Sequence, residues 1–187
     1  MKPAASAIAT LILTVGHSNR PLQEFLTLLR PHRVTMVGDV RKMPGSRRNP
    51  QFNADSLAKA LHESGIGYVH LAGLGGLRRR TSSSPNTGWR NASFQGYADY
   101  MLTAQFEKHL EELLELTLGQ RIALMCAEAV PWRCHRSLIA DALLVRGVSV
   151  EHILSSWRTQ RHVLRPWAEV HGTRIIYPPQ AAEATGP

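Results

Sequence analysis

The sequence predicts an α/β fold: a three-layer sandwich built on a mainly parallel, Rossmann-like sheet of about five strands. Short apolar runs rich in branched side chains alternate along the chain with amphipathic stretches of helical periodicity. That alternation is typical of strand–helix–strand units, whose right-handed crossovers cover both faces of a parallel sheet. With 187 residues, the chain is long enough to bury a sizeable core.

Five apolar runs predict the strands of this sheet. Each run is short and dominated by branched or other apolar side chains, as in strands that are buried on both faces. The runs cover residues 9–15, 34–37, 68–71, 122–125 and 148–154.

Four amphipathic stretches predict the helices that connect the strands. They cover residues 21–30, 53–64, 93–118 and 134–146. Asn53 is a favourable N-cap for the second stretch, and glycines follow the last three, as is common after helix ends. In the third stretch, apolar side chains recur on one stripe from Ser93 almost to Gly119, which predicts a single long helix.

The chain predicts one α/β domain over residues 1–157, followed by a C-terminal extension over residues 158–187. The helical periodicity fades after Trp157, so we expect the extension to pack on the domain, to add an edge strand or to be partly disordered. Residues 180–187 have the composition of a frayed end. The connection over residues 72–91 is long for this fold and predicts a mobile active-site loop or local disorder.

The composition argues against several classes of protein. Hydrophobic residues at 43% and charged residues at 19% are typical of an ordinary globular domain. The strongest apolar run, residues 7–15, is too short to span a bilayer, so we expect no membrane association. Two cysteines do not make a secreted disulfide framework, which favours a reducing, cytoplasmic location.

Unusual polar residues follow four of the predicted strands, at the edge where open parallel sheets bind ligands. Residues two apart in an extended chain point the same way, so Asp39 should pair with Arg41. By the same rule Cys126 should pair with Glu128. We expect the first and fourth strands to be neighbours, which places His17 opposite these two residues. The segments at this edge are GHS (16–18), DVR (39–41), GLGGLRRR (73–80) and CAE (126–128).

Basic residues dominate the loops at this edge and suit an anionic substrate. The whole chain has a net charge of +8, and ten of its 22 basic residues lie in these loops. Only two carboxylates, Asp39 and Glu128, accompany them, and structural ion pairs are the alternative interpretation of both. The ten basic residues are Arg41, Lys42, Arg47, Arg48, Arg78, Arg79, Arg80, Arg90, Arg133 and Arg136.

The segment CAEAVPWRCHR, residues 126–136, contains both cysteines of the chain. We expect Cys134 to open the helix that follows the fourth strand. Free amide groups and the helix dipole would bind an anion there and lower the pKa of the thiol. Cys134 is therefore a candidate reactive thiolate, and inert packing is the alternative for both cysteines.

Two more specific sites are conceivable in this segment, and its spacing weakens both. In the phosphatase pattern an arginine closes the anion loop at the sixth position after the cysteine, where this chain has Trp132. The zinc alternative is weak because the spacing fits none of the familiar close pairs and arginines surround the ligands, so we expect no metal. The possible zinc ligands are Cys126, Cys134 and His135, with His17 or Glu128.

Five segments taken in order resemble one known family. They are TVGHSNRPLQEFLTLL, VGDVRKMPGSRRNPQFNADSLAKAL, YVHLAGLGG, FQGYADYM and ALMCAEAVPWRCHRSLIADAL. Together they are similar to the widespread bacterial family catalogued as domain of unknown function 488, over about residues 14–155. The resemblance implies a compact α/β domain and no established reaction. Its signature in this sequence comprises His17, Ser18, Asp39, Arg41, Pro44, Ser46, Arg47, Pro50, Phe52, Asn53, Cys126, Glu128, Cys134, His135 and Arg136.

We therefore expect an enzyme that acts on an anionic, phosphate-bearing substrate, such as a nucleotide or nucleic acid, by acid/base or thiol chemistry. Glu128 would be the general acid or base, with His17 or Asp39 orienting it or sharing its proton. Cys126 or Cys134 would be a nucleophile. The expected substrate-binding residues are Ser18, Arg41, Arg47, Arg133, His135 and Arg136. No cofactor is expected.

Two alternatives stay open at this point. The first is a non-catalytic nucleic-acid-binding module, which needs the arginines and stacking aromatics but no carboxylate. For the three candidate aromatics, Phe52, Trp89 and Trp132, we favour packing over stacking. The second alternative is a zinc-stabilised structural domain.

Overall fold

A six-stranded sheet forms the centre of the molecule, and helices cover both of its faces. The structure is a computed structural model, and it describes residues 10–180. The sheet contains β1 (Leu11–Gly16), β2 (Met36–Asp39), β3 (Gly67–His70), β4 (Ile122–Cys126), β5 (Ser149–Ser155) and β6 (Arg158–Arg161). A separate hairpin consists of β7 (Glu169–His171) and β8 (Arg174–Ile176).

The strand order is β3-β2-β4-β1-β5-β6, and every neighbouring pair is parallel except β5 and β6. This arrangement confirms the predicted α/β class and the mainly parallel, Rossmann-like sheet. The sheet has one strand more than the five predicted, because β6 pairs antiparallel with β5 at one edge. The predicted contact between the first and fourth strands is also confirmed, since β4 lies between β2 and β1.

The helices are α1 (Leu22–Leu29), α2 (Ala54–Glu63), α3 (Ala92–Met101), α4 (Ala104–Leu116) and α5 (Arg136–Leu144). The prediction of a single helix from Ser93 to Gly119 is therefore wrong. The chain breaks after Met101, and the Thr103 side chain accepts a hydrogen bond from the backbone N–H of Phe106 to start α4. The apolar stripe concealed the break because both helices bury their apolar side chains in the same core.

Two helix starts also differ from the predictions. Asn53 occupies the N-cap position of α2, but its side chain accepts from the backbone N–H of Ser46 and makes no cap hydrogen bond. Cys134 does not open α5, because its backbone is extended (φ −129°, ψ 145°) and the helix begins at Arg136. The sulfur of Cys134 therefore lies before the helix and is not part of its first turn.

Two apolar cores lie on opposite faces of the sheet, as a sheet covered on both faces requires. Alternating side chains of β1 serve both cores, since Ile12 packs with α3, α4 and α5 while Leu13 packs with α1 and α2. The central strand β4 is consequently buried along its whole length, and β1 and β2 are buried except at their first residues. Their carboxyl ends are the part of the sheet that is left open to form a site.

The segment after Trp157 packs against the rest of the chain. It supplies the edge strand β6 and then buries Ile175 and Tyr177 in the core that contains α5. The C-terminal end was predicted to fray over residues 180–187, and residues 181–187 of it lie outside the described residues. Residues 1–9 at the N-terminal end lie outside them too. None of the helices within residues 10–180 is long and apolar enough to cross a membrane.

The long connection over residues 72–91 follows a path defined by one buried carboxylate. Asp99 accepts hydrogen bonds from the backbone N–H and hydroxyl of Thr81, from the Ser84 hydroxyl and from the Asn86 amide. Asn86 in turn accepts from the backbone N–H of Tyr177. The connection is thereby linked both to α3 and to the C-terminal segment. Its first part reaches the sheet edge described next.

Candidate functional site

The turn after β1 and the turn after β4 lie side by side at the carboxyl edge of the sheet. Gly16 is in register with Cys126, and the ladder continues beyond both strands. The backbone N–H of His17 donates to the carbonyl of Cys126 at 2.9 Å, and that of Ser18 donates to the carbonyl of Ala127 at 2.8 Å. The predicted proximity of His17 to the segment 126–128 is therefore observed.

Gly16 permits this close approach because it has no side chain. A Cβ at this position would lie 2.0 Å from the carbonyl oxygen of Glu128, well inside any allowed contact. The chain after β4 therefore turns directly across β1. This crossing places Cys126 and Glu128 on the wall of a cavity.

The cavity at the sheet edge has a volume of about 700 Å³. It brings together most of the predicted site residues, and residues to which the sequence gave no role complete it. Met43 and Leu77, both more than 70% exposed, stand among the lining residues. The predicted residues that line it are His17, Ser18, Arg41, Cys126, Glu128, Arg133 and His135. Lys42, Gly76 and Leu77, which the sequence placed at this edge without a role, also line it, as do Ser46 of the family signature and the unpredicted Met43 and Asn49.

Asp39 is fully buried and holds Arg41 in a two-pronged ion pair. Arg41 donates from its backbone N–H and Nε to Oδ1, and from Nη2 to Oδ2 at 2.6 Å. Tyr68 donates its hydroxyl to Oδ2 at 2.9 Å. Both carboxylate oxygens are thus occupied, so the geometry gives Asp39 the task of orienting Arg41. We call Asp39, Arg41, Tyr68 and His17 the Asp39 cluster.

His17 belongs to this cluster as a neutral hydrogen-bond acceptor. Its Nδ1 lies 2.7 Å from the Ser18 carbonyl, which can only accept, so Nδ1 carries the proton. Nε2 then accepts from Nη1 of Arg41 at 3.3 Å. The ring stacks on Phe52, and burial lowers the pKa of His17 from 6.5 to about 4. At neutral pH His17 therefore positions Arg41 and has no free lone pair for a substrate proton.

The two cysteines are free thiols in one buried cluster with His135. The ligand atoms of Cys126, Cys134 and His135 all lie within 4.8 Å of one another. The hydrogen bond to Cys134, together with burial, raises the pKa of Cys126. The same hydrogen bond, together with the charge of Arg136, lowers the pKa of Cys134 well below its usual range.

Arg136 lies behind the cysteines and does not line the cavity. Its side chain is only 1% exposed, and its Nε donates to the Cys134 sulfur at 3.4 Å. Its guanidinium also donates to the hydroxyl of Thr14 and to the carbonyl of Glu128. The geometry therefore makes Arg136 a positioning group for Cys134 and for the turn after β4. Arg136 is not among the residues that line the cavity, and the substrate contact predicted for it from the sequence stays a prediction.

A buried chain of hydrogen bonds, which sequence reasoning missed, continues from Arg136 into the domain. Thr14 lies 2.7 Å from Nδ1 of His152, and Nε2 of His152 lies 2.9 Å from Nδ1 of His162. Nε2 of His162 donates to Asp141 at 2.7 Å. The chain thus connects the Cys134 sulfur, through Arg136, with a second buried carboxylate.

Asp141 is fully buried, like Asp39, and its partners come from the segment after β6. Arg165 donates to Oδ2 at 2.8 Å, and the Tyr177 hydroxyl donates to the same oxygen at 2.7 Å. One signal in the sequence pointed to it: Asp141 is the only charged residue between Ser137 and Leu144 in an otherwise apolar helix. We call Asp141, His162, Arg165 and Tyr177 the Asp141 cluster.

The remaining predicted residues lie at the rim of the cavity or away from it. Arg133 is exposed and lines the cavity, whereas Arg47 is exposed and does not line it. Of the aromatic candidates, Phe52 is fully buried, and Trp89 packs against Phe94, Trp167 and Tyr177. Trp132 is 55% exposed, so the packing expected for it is not observed.

One protein-family model matches the chain over residues 21–143, and its description is "Domain of unknown function DUF488". The chain belongs to this family. A search of curated proteins and a search of solved structures each found no match. The family match therefore agrees with the resemblance found in the sequence motifs. Its description names no reaction.

The DUF488 match includes only part of the site. It covers both cysteines, Glu128 and the Asp39–Arg41 pair. It ends before the C-terminal members of the Asp141 cluster, and it begins after His17. In this chain, residues outside the matched range therefore take part in positioning the groups inside it.

Proposed function

We propose that this DUF488 protein is an enzyme that acts on an anionic, phosphate-bearing substrate, such as a nucleotide or a nucleic acid, in the cavity at the sheet edge. A volume of about 700 Å³ is in the range of small-molecule sites. A reducing, cytoplasmic setting is part of the proposal, and the two free cysteines support it.

The observation that carries the proposal is the state of Glu128. Its side chain is exposed and lines the cavity, and none of the described residues donates a hydrogen bond or forms an ion pair with its carboxylate. The carboxylate of Asp39 is, by contrast, saturated by Arg41 and Tyr68. Glu128 is therefore the carboxylate with a free lone pair where a substrate would lie, as a general acid or base requires.

The charges around Glu128 support an anionic substrate. Arg41, Lys42 and Arg133 line the same cavity. The charge of Arg41 is balanced by Asp39, so Lys42 and Arg133 leave the wall positive even after Glu128 is counted. Arg41 is also held rigidly by Asp39, His17 and the Phe52 carbonyl. These contacts leave one Nη1 hydrogen free, so Arg41 could donate one pre-oriented, charge-assisted hydrogen bond to a phosphate oxygen.

The test compares Glu128→Gln with the wild-type protein on a panel of nucleoside phosphates, single-stranded oligonucleotides and p-nitrophenyl phosphate. We expect kcat for the substrate that is turned over to fall by about 10²–10⁴-fold, because acid/base catalysis contributes that much. Substrate affinity should change little. Glu115→Gln, which alters an exposed carboxylate on α4, is the matched control and should leave kcat unchanged. Wild-type turnover by Glu128→Gln would refute the proposal.

A nucleic-acid-binding module is the second candidate, and the exposed basic residues around the cavity favour it. Arg47, Arg48, Arg79 and Arg80 are exposed, as is the ring of Trp132. Such a module would bind oligonucleotides with an affinity that falls steeply with salt. It would also bind equally well after Glu128→Gln and turn over no member of the panel.

A further inference from the structure

The ligand atoms of Cys126, Cys134 and His135 have the spacing of a tetrahedral metal site. All three lie within 4.8 Å of one another, and the Cys134 sulfur is 3.8 Å from Nδ1 of His135. Zn–S bonds of about 2.3 Å and Zn–N bonds of about 2.1 Å place tetrahedral S and N ligands about 3.6 Å apart. A shift of a few tenths of an ångström would therefore bring this pair to bonding positions.

The hydrogen bond on the far side of His135 gives the ring the orientation of a ligand. Nε2 lies 3.0 Å from the carbonyl of Val40, which can only accept, so Nε2 carries the proton. Nδ1 then presents its lone pair toward the sulfurs. Metal-ligating histidines commonly have this second hydrogen bond to a carbonyl or a carboxylate. A Cβ at Gly76 would lie 3.0 Å from Nδ1, so glycine leaves this side of the ring uncovered.

Arg136 makes the cluster electrically suitable for a divalent cation with two thiolates. Its backbone N–H and Nε point at the Cys134 sulfur at 3.5 and 3.4 Å. Hydrogen bonds of this kind favour the thiolate that binds metal. A guanidinium has no lone pair and does not compete as a ligand. Two thiolates, a divalent ion and Arg136 would leave a net charge of +1 in the cluster.

The cluster is open on the side of the cavity. Cys126 and His135 line the main cavity, and all three residues line an adjoining pocket of about 250 Å³. Glu128 lines both spaces but lies outside the three-residue cluster. Three protein ligands with an accessible fourth position are typical of catalytic zinc, whereas structural sites use four protein ligands.

We infer that Cys126, Cys134 and His135 bind a zinc-class ion whose fourth ligand is a water in the cavity. Two sulfur ligands and one imidazole select zinc over magnesium or calcium. This site replaces the earlier expectation of a metal-free segment. The role of the metal in the reaction rests on the proposed function. The metal-bound water would transfer one proton to the Glu128 carboxylate, and the hydroxide left on the metal would be the nucleophile.

The site is tested by metal content and cobalt spectroscopy, neither of which depends on activity. Protein purified under reducing conditions without chelator should contain about one zinc ion per chain. Cobalt added to the metal-free protein should give a thiolate-to-metal charge-transfer band and the visible bands of tetrahedral cobalt. Cys126→Ser, Cys134→Ser and His135→Ala should each lower zinc affinity by at least about tenfold, since even second-shell changes cost that much.

His109→Ala is the matched control, because His109 lies on α4 and pairs with Glu112 away from the cluster. It should bind metal like the wild type. If a ligand variant does not fold, the cobalt spectrum of the wild-type protein still decides the question. Reduced wild-type protein that contains no zinc and gives no charge-transfer band with cobalt would overturn the site.

The outcome for the metal is distinguishable from the outcome for the proposed function. Metal bound by three ligands together with an active Glu128→Gln variant would leave the site standing and remove the role of Glu128. Metal-free protein whose turnover depends on Glu128 would remove the site and keep the proposed function. Each of the two proposals can therefore be refuted without refuting the other.

Discussion

The Asp39 cluster and the Asp141 cluster have nearly the same composition but serve different parts of the molecule. Each contains a fully buried carboxylate, an arginine, a tyrosine hydroxyl and a histidine, but His162 donates directly to Asp141 whereas His17 contacts Arg41. The Asp39 cluster lies beside the cavity, and its arginine lines the wall. The Asp141 cluster lies behind the cysteines and reaches Cys134 by two routes, one through His152, Thr14 and Arg136 and one from Arg165 through the Ser137 hydroxyl.

The difference teaches that burial and charge alone do not identify a catalytic carboxylate here. Asp39 and Asp141 are the most buried acids of the described residues, and both are saturated with donors. Glu128, which is exposed, is the carboxylate whose oxygens stay free in the cavity. The two clusters therefore position the other groups of the site, and Glu128 is the carboxylate that is left for chemistry.

The largest effect is expected from removing either buried carboxylate charge, by Asp39→Asn or Asp141→Asn. Each change leaves a mostly buried arginine without its counter-charge. Breaking such a pair costs about 3–5 kcal/mol of unfolding free energy, which urea denaturation at pH 7 measures. Asp55→Asn removes an exposed charge from the first turn of α2 and should cost less than about 1 kcal/mol.

These variants also separate the two clusters by location. Asp39→Asn should weaken phosphate binding in the cavity, because Arg41 loses its fixed orientation there. Asp141→Asn should leave phosphate binding closer to wild type at equal folded fraction. A loss of stability no larger than that of Asp55→Asn in either variant would contradict the structural role of that cluster.

Much of the Asp39 cluster could be predicted from sequence because it is local. Asp39 and Arg41 are two residues apart at the end of a strand, and the alternation of an extended chain pairs them. The adjacency of β1 and β4, which brings His17 to Cys126, also followed from topology rules. What the sequence did not provide was their role, because saturation of Asp39 depends on Tyr68 from another strand.

The Asp141 cluster could not be predicted because its members meet only in three dimensions. His162, Arg165 and Tyr177 lie 21, 24 and 36 residues from Asp141 along the chain. They lie in a segment without a periodic pattern that would have placed them. The break between α3 and α4 was missed for a different reason, since one apolar stripe continues across Thr103.

A middle-sized effect is expected from acid, and it tests whether the two regions respond alike. Burial lowers the pKa of His152 from 6.5 to about 3, and that of His17 from 6.5 to about 4. The unfolded chain binds protons below pH 6.5 that the folded chain rejects, so stability falls as pH drops from 6.5 toward these values. At pH 5 each histidine should cost about 2 kcal/mol relative to neutral pH.

His152→Gln should remove the part of the acid-induced loss of stability that comes from His152. The part that comes from His17 should stay. Urea denaturation at pH 7 and at pH 5 measures the loss of unfolding free energy between these two pH values in the wild type and in the variant. The comparison uses the difference between the two pH values, so it is unaffected by the overall stability of the variant. A wild-type protein that is equally stable at both pH values would contradict the neutral state of both histidines.

The smallest effect distinguishes the two tyrosines. Tyr177 is fully buried, whereas Tyr68 is half-buried, so water can take the place of the Tyr68 hydroxyl more easily. Tyr177→Phe should therefore lower the free energy of unfolding by about 1 kcal/mol more than Tyr68→Phe. Urea midpoints of the two variants give this difference. Equal losses would mean that the two carboxylates are equally accessible to water.

The route by which the C-terminal segment completes the Asp141 cluster has a consequence for synthesis. A ribosome releases the chain from its N-terminal end, so the sheet strands and the cysteine cluster emerge before His162, Arg165 and Tyr177. A nascent chain that has reached only Trp157 therefore holds Asp141 without these donors. The groups behind Cys134 therefore acquire their final arrangement only after Tyr177 has left the exit tunnel.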